Sequence, residues 1–415
     1  MKNSKKIAMA GLIGLYSLNA IGQPINNDQF QDVKAEYTQN IEQQLEQTLE
    51  QPSNESPKMF THANTGDEFN LKEIVKNKQS GVYINPFDDS QVITFSFVSD
   101  EGDVLDNKVK LSRELRKLST NASTYNVYKE LFGTSNYLSL HSHFFDIIDT
   151  SIEEKEKVGS FHTDIAEFDS NHNLNFINIS IKQIEEIQEI GLKKGLSQES
   201  MDLILELAAF HEIGHSMENI AEQRKDFYQK ISNGDIGFKN KEFLVFNLGD
   251  ESFSDSFAFL QLAKVAKESG ISLDTFKEVT DFFLAEVRDD SHSPKRHEFQ
   301  EHLTKQTGFV TRNFIEQHWN NIDQLSNQDI IQLSVAITNL TNQNKKINPY
   351  VSNYEGQSYL SSKGGFSNRE LNKLSDEVLP KINAMISTTL SNKGEVAMEF
   401  NYEPNAYKQT QSMKL

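Results

Sequence analysis

The chain has 415 residues, 37% of them hydrophobic and 24% charged, with a formal net charge of −19 at pH 7. So acidic a chain is excluded from general electrostatic binding to nucleic acid or anionic membrane, while its 28 Phe and its aliphatics can fill a core, which excludes wholesale disorder. The absence of cysteine excludes disulfides, thiolate metal sites and thiol nucleophiles.

At the N-terminus, Lys2, Lys5 and Lys6 precede an apolar stretch from Ile7 to Leu18, and the small residues Ala20 and Gly22 follow. This pattern predicts a signal peptide over residues 1–22, cut before Gln23, and an exported protein, periplasmic or secreted. The apolar stretch is too short to cross the roughly 30 Å of a bilayer's hydrocarbon core. No later stretch is long enough either, so no stable membrane insertion is expected.

Residues 23–60 are polar. Within them Phe30, Val33, Tyr37, Ile41, Leu45 and Leu49 step by three and four, which predicts an amphipathic helix. A linker around Pro52 and Pro57 follows. Residues 61–160 read as an N-terminal α+β region, with a strand at Gln91–Val98. His162–Phe168 and Leu174–Ile181 predict a hairpin about the turn-like cluster Asp169–Asn173. From about Gln183 to Leu340 the pattern is helical, and no proline interrupts it until Pro294. Residues 341–415 read as a polar extension: a loop region to about residue 370, then a helix over Glu370–Leu390 with a break or kink at Pro380, then a frayed tail.

The chemistry concentrates at His211-Glu212-Ile213-Gly214-His215, an H-E-x-x-H motif. It lies in a predicted helix, Ser197–Gln223, with Ser197 as N-cap and Glu199 in the first turn. The upstream half is apolar nearly all round, the mark of a buried helix. Residues i and i+4 share a helical face, so both imidazoles can reach one metal ion. Glu212 is then placed to take a proton from a water acidified by Zn²⁺. Burying two His and a Glu among apolar side chains is costly without such a partner.

A zinc site needs a third protein ligand. A His three residues beyond a Gly on the same helix is excluded, because those positions hold Glu218 and Ala221. Glu251 in Gly249-Asp250-Glu251-Ser252-Phe253-Ser254-Asp255 can supply it, with Asp255 one turn on to accept the other ring N–H of a ligand His. The plainer reading of Glu251 is an acid at a helix N-terminus, favoured by the macrodipole.

HEIGH followed by ESFSD resembles the gluzincin metallopeptidases, in which H-E-x-x-H is completed by E-x-x-x-D on the next major helix. Asp289–Phe299 is similar to a segment that follows the zinc helices in some of them, including the CAAX prenyl endopeptidases and a group of bacterial metallopeptidase-like proteins. The resemblance covers roughly residues 161–305. It implies a zincin-like catalytic domain, placed at 161–340, with one Zn²⁺ per chain held by His211, His215 and Glu251. Glu212 would be the general base, and His292 or His297 would face the zinc and stabilise the oxyanion. Arg296 lies closer to His292 than in the family pattern, which leaves both histidines open. It further implies that an edge strand before the zinc helix, here carrying Asn175, Phe176 and Asn178, binds the substrate backbone as an added strand.

The expected protein is thus mainly α (α+β), with a small sheet before the H-E-x-x-H helix and helical extensions at both ends. It is expected to be an exported zinc metallopeptidase acting on a protein or peptide. A zinc-dependent amide hydrolase on another substrate would use the same site. An inactive exported binding protein would have no use for Glu212.

Overall fold

The computed structural model describes residues 59–87, 92–98, 110–111, 113–114, 162–169, 172–217, 227, 230, 233–236, 241–288, 304–342, 350–354, 357–361, 367–392 and 405–406. The expected signal peptide and the helix read at Phe30–Leu49 lie outside these residues.

The described chain begins with β1 (Phe60–His62) and β2 (Glu68–Phe69), followed by α1 (Leu71–Lys76). A capping box sets the start of α1: Glu73 N donates to Asn70 Oδ1 at 2.8 Å, and Asn70 N to Glu73 Oε2 at 3.1 Å. Next come β3 (Gly81–Ile84), β4 (Val92–Val98), β5 (His162–Asp169) and β6 (His172–Ser180). Their order in the sheet is β2-β1-β3-β4-β6-β5. The pairs are antiparallel except β4–β6, which is parallel with Phe95 opposite Ile177 and Phe97 opposite Ile179. Ile93 to Phe97 of β4 are all buried, as expected of a strand covered on both faces.

The hairpin and the strand at 91–98 form as the sequence predicts. The sheet, however, draws strands from both sides of the boundary expected at residue 160.

Helices follow: α2 (Ile181–Lys193), α3 (Gln198–His215), α4 (Lys241–Glu268), α5 (Leu273–Glu286), α6 (Lys305–His318) and α7 (Asn327–Asn342), with a 3-10 turn at Trp319–Gln324 between the last two. The fold is mostly helical with a small sheet ahead of the helices. α3 and α4 form its centre. α3 packs on α4, α5, α1 and α2, and reaches β5 and β6. Met201, Leu207 and Ile213 of α3 and Phe253, Phe257, Phe259 and Leu260 of α4 are completely buried. Burial on nearly every side, rather than along one stripe, explains why neither helix is amphipathic.

The C-terminal region departs from expectation. β7 (Tyr350–Tyr354) and β8 (Gln357–Ser361) occupy part of the expected loop region, and β7 also pairs in parallel with β9 (Asn405–Ala406). Between them in sequence, α8 (Asn368–Asn392) runs through Pro380 without a break. Pro380 removes one helical N–H. Leu371, Leu374, Val378, Leu379 and Ile382 are nonetheless buried on both sides of it, where α8 packs on α6 and α7. Packing of that face outweighs the lost hydrogen bond.

Candidate metal centre

α3 starts where its sequence says it should: Ser197 Oγ accepts the N–H of Ser200 at 3.1 Å. It ends at His215 rather than near Gln223, and the Ser216 hydroxyl turns back to the carbonyl of Ile213 at 2.6 Å. The motif therefore occupies the last turn and a half of the helix. His211, Glu212 and His215 are all buried.

The opposing helix supplies the rest. α4 begins at Lys241, ten residues before Glu251, so Glu251 is a mid-helix residue. Its alternative reading as an acid favoured by a helix N-terminus is thereby removed, because the macrodipole acts only within the first turn. Asp250, Glu251, Ser254 and Asp255 lie at i, i+1, i+4 and i+5, one face of α4 turned towards the histidines.

Each imidazole is held by its own aspartate. His211 Nδ1 lies 2.9 Å from Asp255 Oδ1, and His215 Nδ1 lies 2.6 Å from Asp250 Oδ1, with Ser254 Oγ 3.0 Å from the same nitrogen. With both Nδ1 atoms donating to carboxylates, both Nε2 atoms present lone pairs, and these are only 3.1 Å apart. Such an approach is unfavourable unless a cation, whether a metal ion or a proton on one ring, lies between them. Glu251 closes the triangle: Oε2 is 3.4 Å from His211 Nε2, and Oε1 is 3.6 Å from His215 Nε2. A tetrahedral ion bonded at 2.0–2.1 Å holds its ligand atoms about 3.3 Å apart, close to these separations. His211, His215 and Glu251 therefore lie close enough to bind a metal ion. Among the described residues this is the one cluster of its kind.

The electrostatics favour a cation. Burial alone pushes the His211 ring pKa down, but the Asp255 and Glu251 carboxylates beside it more than reverse this, so its pKa rises. Burial likewise pushes Asp255 up, and the Arg288 guanidinium and His211 hold it below the usual carboxylate range. The same carboxylate field that would draw a metal ion also favours the protonated form of His211.

Three participants are not apparent from the sequence. Asp250 precedes the expected ligand and orients the second histidine. Arg288, just past the end of α5, donates from Nη2 to Asp255 Oδ1 at 2.7 Å and to Glu251 Oε2 at 3.2 Å. Thr304, just before α6, donates from Oγ1 to Asp255 Oδ2. The i, i+4 rule that locates His211 with His215 and Glu251 with Asp255 has no counterpart for residues brought in from other helices. Asp250 was open to detection as the neighbour of Glu251, but Gly249-Asp250 reads as a helix start.

Of the other expected site residues, His292 and His297 lie outside the described residues. Asn175, Phe176 and Asn178 lie on β6, which is an inner strand paired with both β4 and β5. The expectation that this stretch is an edge strand open to a substrate backbone is therefore corrected. A local pattern of alternating residues identifies a strand but not its place in the sheet. Among the described residues, the strand with a free edge on that side is β5.

Comparison of the chain with protein-family models, curated proteins and solved structures found no match. No helix among the described residues is long and apolar enough to cross a membrane.

Proposed function

We propose that the protein is an exported zinc-dependent metallopeptidase of gluzincin type. One observation carries the reading: two imidazole Nε2 atoms and the Glu251 carboxylate converge at metal-ligand spacing, with each imidazole oriented by a separate buried aspartate. A His₂Glu set with imidazole and carboxylate donors favours Zn²⁺ among the common divalent ions. When bound there, zinc would polarise a scissile carbonyl and lower the pKa of a water.

The chain's own residues do the remaining work. Asp255 and Asp250 keep a proton on each Nδ1 and so keep each Nε2 basic. Glu251 completes the ligand set from α4. Glu212 follows His211 on the buried end of α3, and its charge is felt by Arg288. It is the base that accepts the proton of the attacking water and returns it to the leaving amine. A purely structural site has no need of a carboxylate in that position. The edge of β5 that is free among the described residues is where an extended peptide would add as a strand. His292 or His297 would donate to the oxyanion.

The test has two arms. Purified protein is assayed for zinc by plasma mass spectrometry, alongside His211→Ala. About one zinc per chain is expected in the first and none in the second. Glu212→Gln is then compared with the parent on a mixed peptide substrate. It is expected to retain its zinc and lose turnover by about a hundredfold or more, the scale of general acid–base catalysis. Full activity of Glu212→Gln rules out this mechanism. No metal in the parent, even after zinc is added back, rules out the reading as a whole.

A further inference from the structure

Arg288 has no place in the mechanism above, yet it reaches into the metal centre. It is buried, and its guanidinium also lies over the Phe283 ring, 5.3 Å from the centroid. Its Nη2 is 2.7 Å from Asp255 Oδ1, 3.2 Å from Glu251 Oε2 and 3.3 Å from His211 Nε2. The last two of these atoms are two of the expected metal ligands.

The distances bound how far an ion can be from Arg288. His211 Nε2 and Glu251 Oε2 are 3.4 Å apart. An ion about 2.05 Å from each lies about 1.1 Å from their midpoint, and by the same geometry Nη2 lies about 2.8 Å from it. No more than about 4 Å can separate Nη2 from the bound ion. Two positive charges at that range, in a pocket shielded from water, repel strongly. They also claim the same oxygen of Glu251. Asp255 offers Nη2 a shorter bond that the ion does not contest. Burial opposes the charge on Arg288, but Asp255, Glu251 and Glu212 hold it in place.

We propose that Arg288 is a built-in counter-cation that competes with the metal for Glu251. It neutralises Glu251 and Asp255 when no ion is bound. When an ion enters, it gives up Glu251 Oε2 and retains Asp255. Arg288 thereby stabilises the metal-free protein and weakens metal binding, setting how readily the centre exchanges its ion. This inference rests on the metal centre of the proposed function.

The experiment measures zinc affinity by competition with a chromophoric chelator for the parent, Arg288→Gln and Arg288→Lys, and the melting temperature of each after zinc is removed. Arg288→Gln is expected to bind zinc at least tenfold more tightly than the parent, and its metal-free form to melt at a lower temperature. Equal or weaker zinc binding by Arg288→Gln overturns the inference and assigns Arg288 to orienting Glu251 and Asp255 for the metal. If metal-free Arg288→Gln does not fold, Arg288→Lys carries the test. Its shorter, single-point amine can keep Asp255 but not reach both carboxylates. It is expected to bind zinc several-fold more tightly than the parent, and parental or weaker affinity overturns the inference. A parent chain that binds no divalent ion overturns both this inference and the proposed function; a parent that binds zinc without tightening in the variants overturns only this one.

Discussion

Gly214→Ala adds one methyl group where α3 lies directly against α4. A Cβ at that position would sit 2.9 Å from the Cα of Ser254, 3.0 Å from its Oγ and 3.1 Å from its Cβ. Ordinary carbon–carbon contacts fall at about 3.5–4.0 Å, so the helices must part by roughly 0.6 Å or more. The nearest obstacle is backbone, which cannot rotate away. His211 and His215 ride on α3 and Glu251 on α4, so the parting opens the ligand triangle directly. Metal bond lengths tolerate only about 0.2 Å of error. The expected loss of zinc affinity is therefore tenfold or more. Stability should fall by about 1–3 kcal/mol from overpacking, offset by up to about 1 kcal/mol from the better helix propensity of Ala. Zinc competition titration with circular dichroism as a check on helix content measures both. Gly308→Ala is the matched control, because its Cβ would meet the end of the Leu284 side chain, Cδ2, at 2.7 Å rather than a backbone atom. Zinc affinity within twofold of the parent in Gly214→Ala would refute the idea that this contact sets the ligand geometry.

Asp250→Asn keeps the shape of the group that holds His215 but removes its charge. Zinc affinity should drop by about 10–100-fold, and an unchanged affinity would show that Ser254 alone orients the ring. Glu206, buried in α3, has its carboxyl pushed up to about 7 by burial, with Lys72 opposing and Asp202 adding to the shift. A folded pKa above the ordinary 4.5 means that its contribution is fully present below that value and is lost as pH rises through 7. Glu206→Gln should therefore stabilise the protein at pH 8 by up to about 3 kcal/mol and by much less at pH 5. Urea melts at the two pH values decide it, and an equal effect at both would exclude the titration. Of His292→Ala and His297→Ala, one should lower kcat by about a hundredfold with zinc retained. Parental kcat in both would remove the histidine from the oxyanion step.

The local parts of this centre were legible in the sequence. His211 and His215 sit four apart on an apolar helix, Ser197 caps it, and Glu251 and Asp255 repeat the spacing on α4. Two fixed periodicities, 3.6 for helices and 2 for strands, carry that much. What they do not carry is the partner of each face. β6 reads as a strand but not as an inner one, because its parallel neighbour β4 lies far upstream in the chain. Lys241 to Gly249 extends α4 ahead of Glu251, although Gly249-Asp250 has the look of a start. The stretch around Pro380 stays helical because α6 and α7 cover its apolar side, a fact no window centred on Pro380 contains. Arg288 and Thr304 join the centre from other helix ends, and nothing local marks them.

Arg288 and Thr304 also bracket the connection from α5 to α6, and both grip the same Asp255 carboxylate, one at each oxygen. Arg288 and Thr304, fifteen residues of chain between them, thus meet at a single carboxylate beside the His211, His215 and Glu251 cluster. A chain segment with its ends tied together in this way adds little entropy cost when it grows; each doubling of length costs only about 0.6 kcal/mol. A change of length between these two anchors is therefore expected to leave His211, His215 and Glu251 in place. Asp255 thus has a second task besides holding His211: it pins together the two ends of chain that flank residues 289–303.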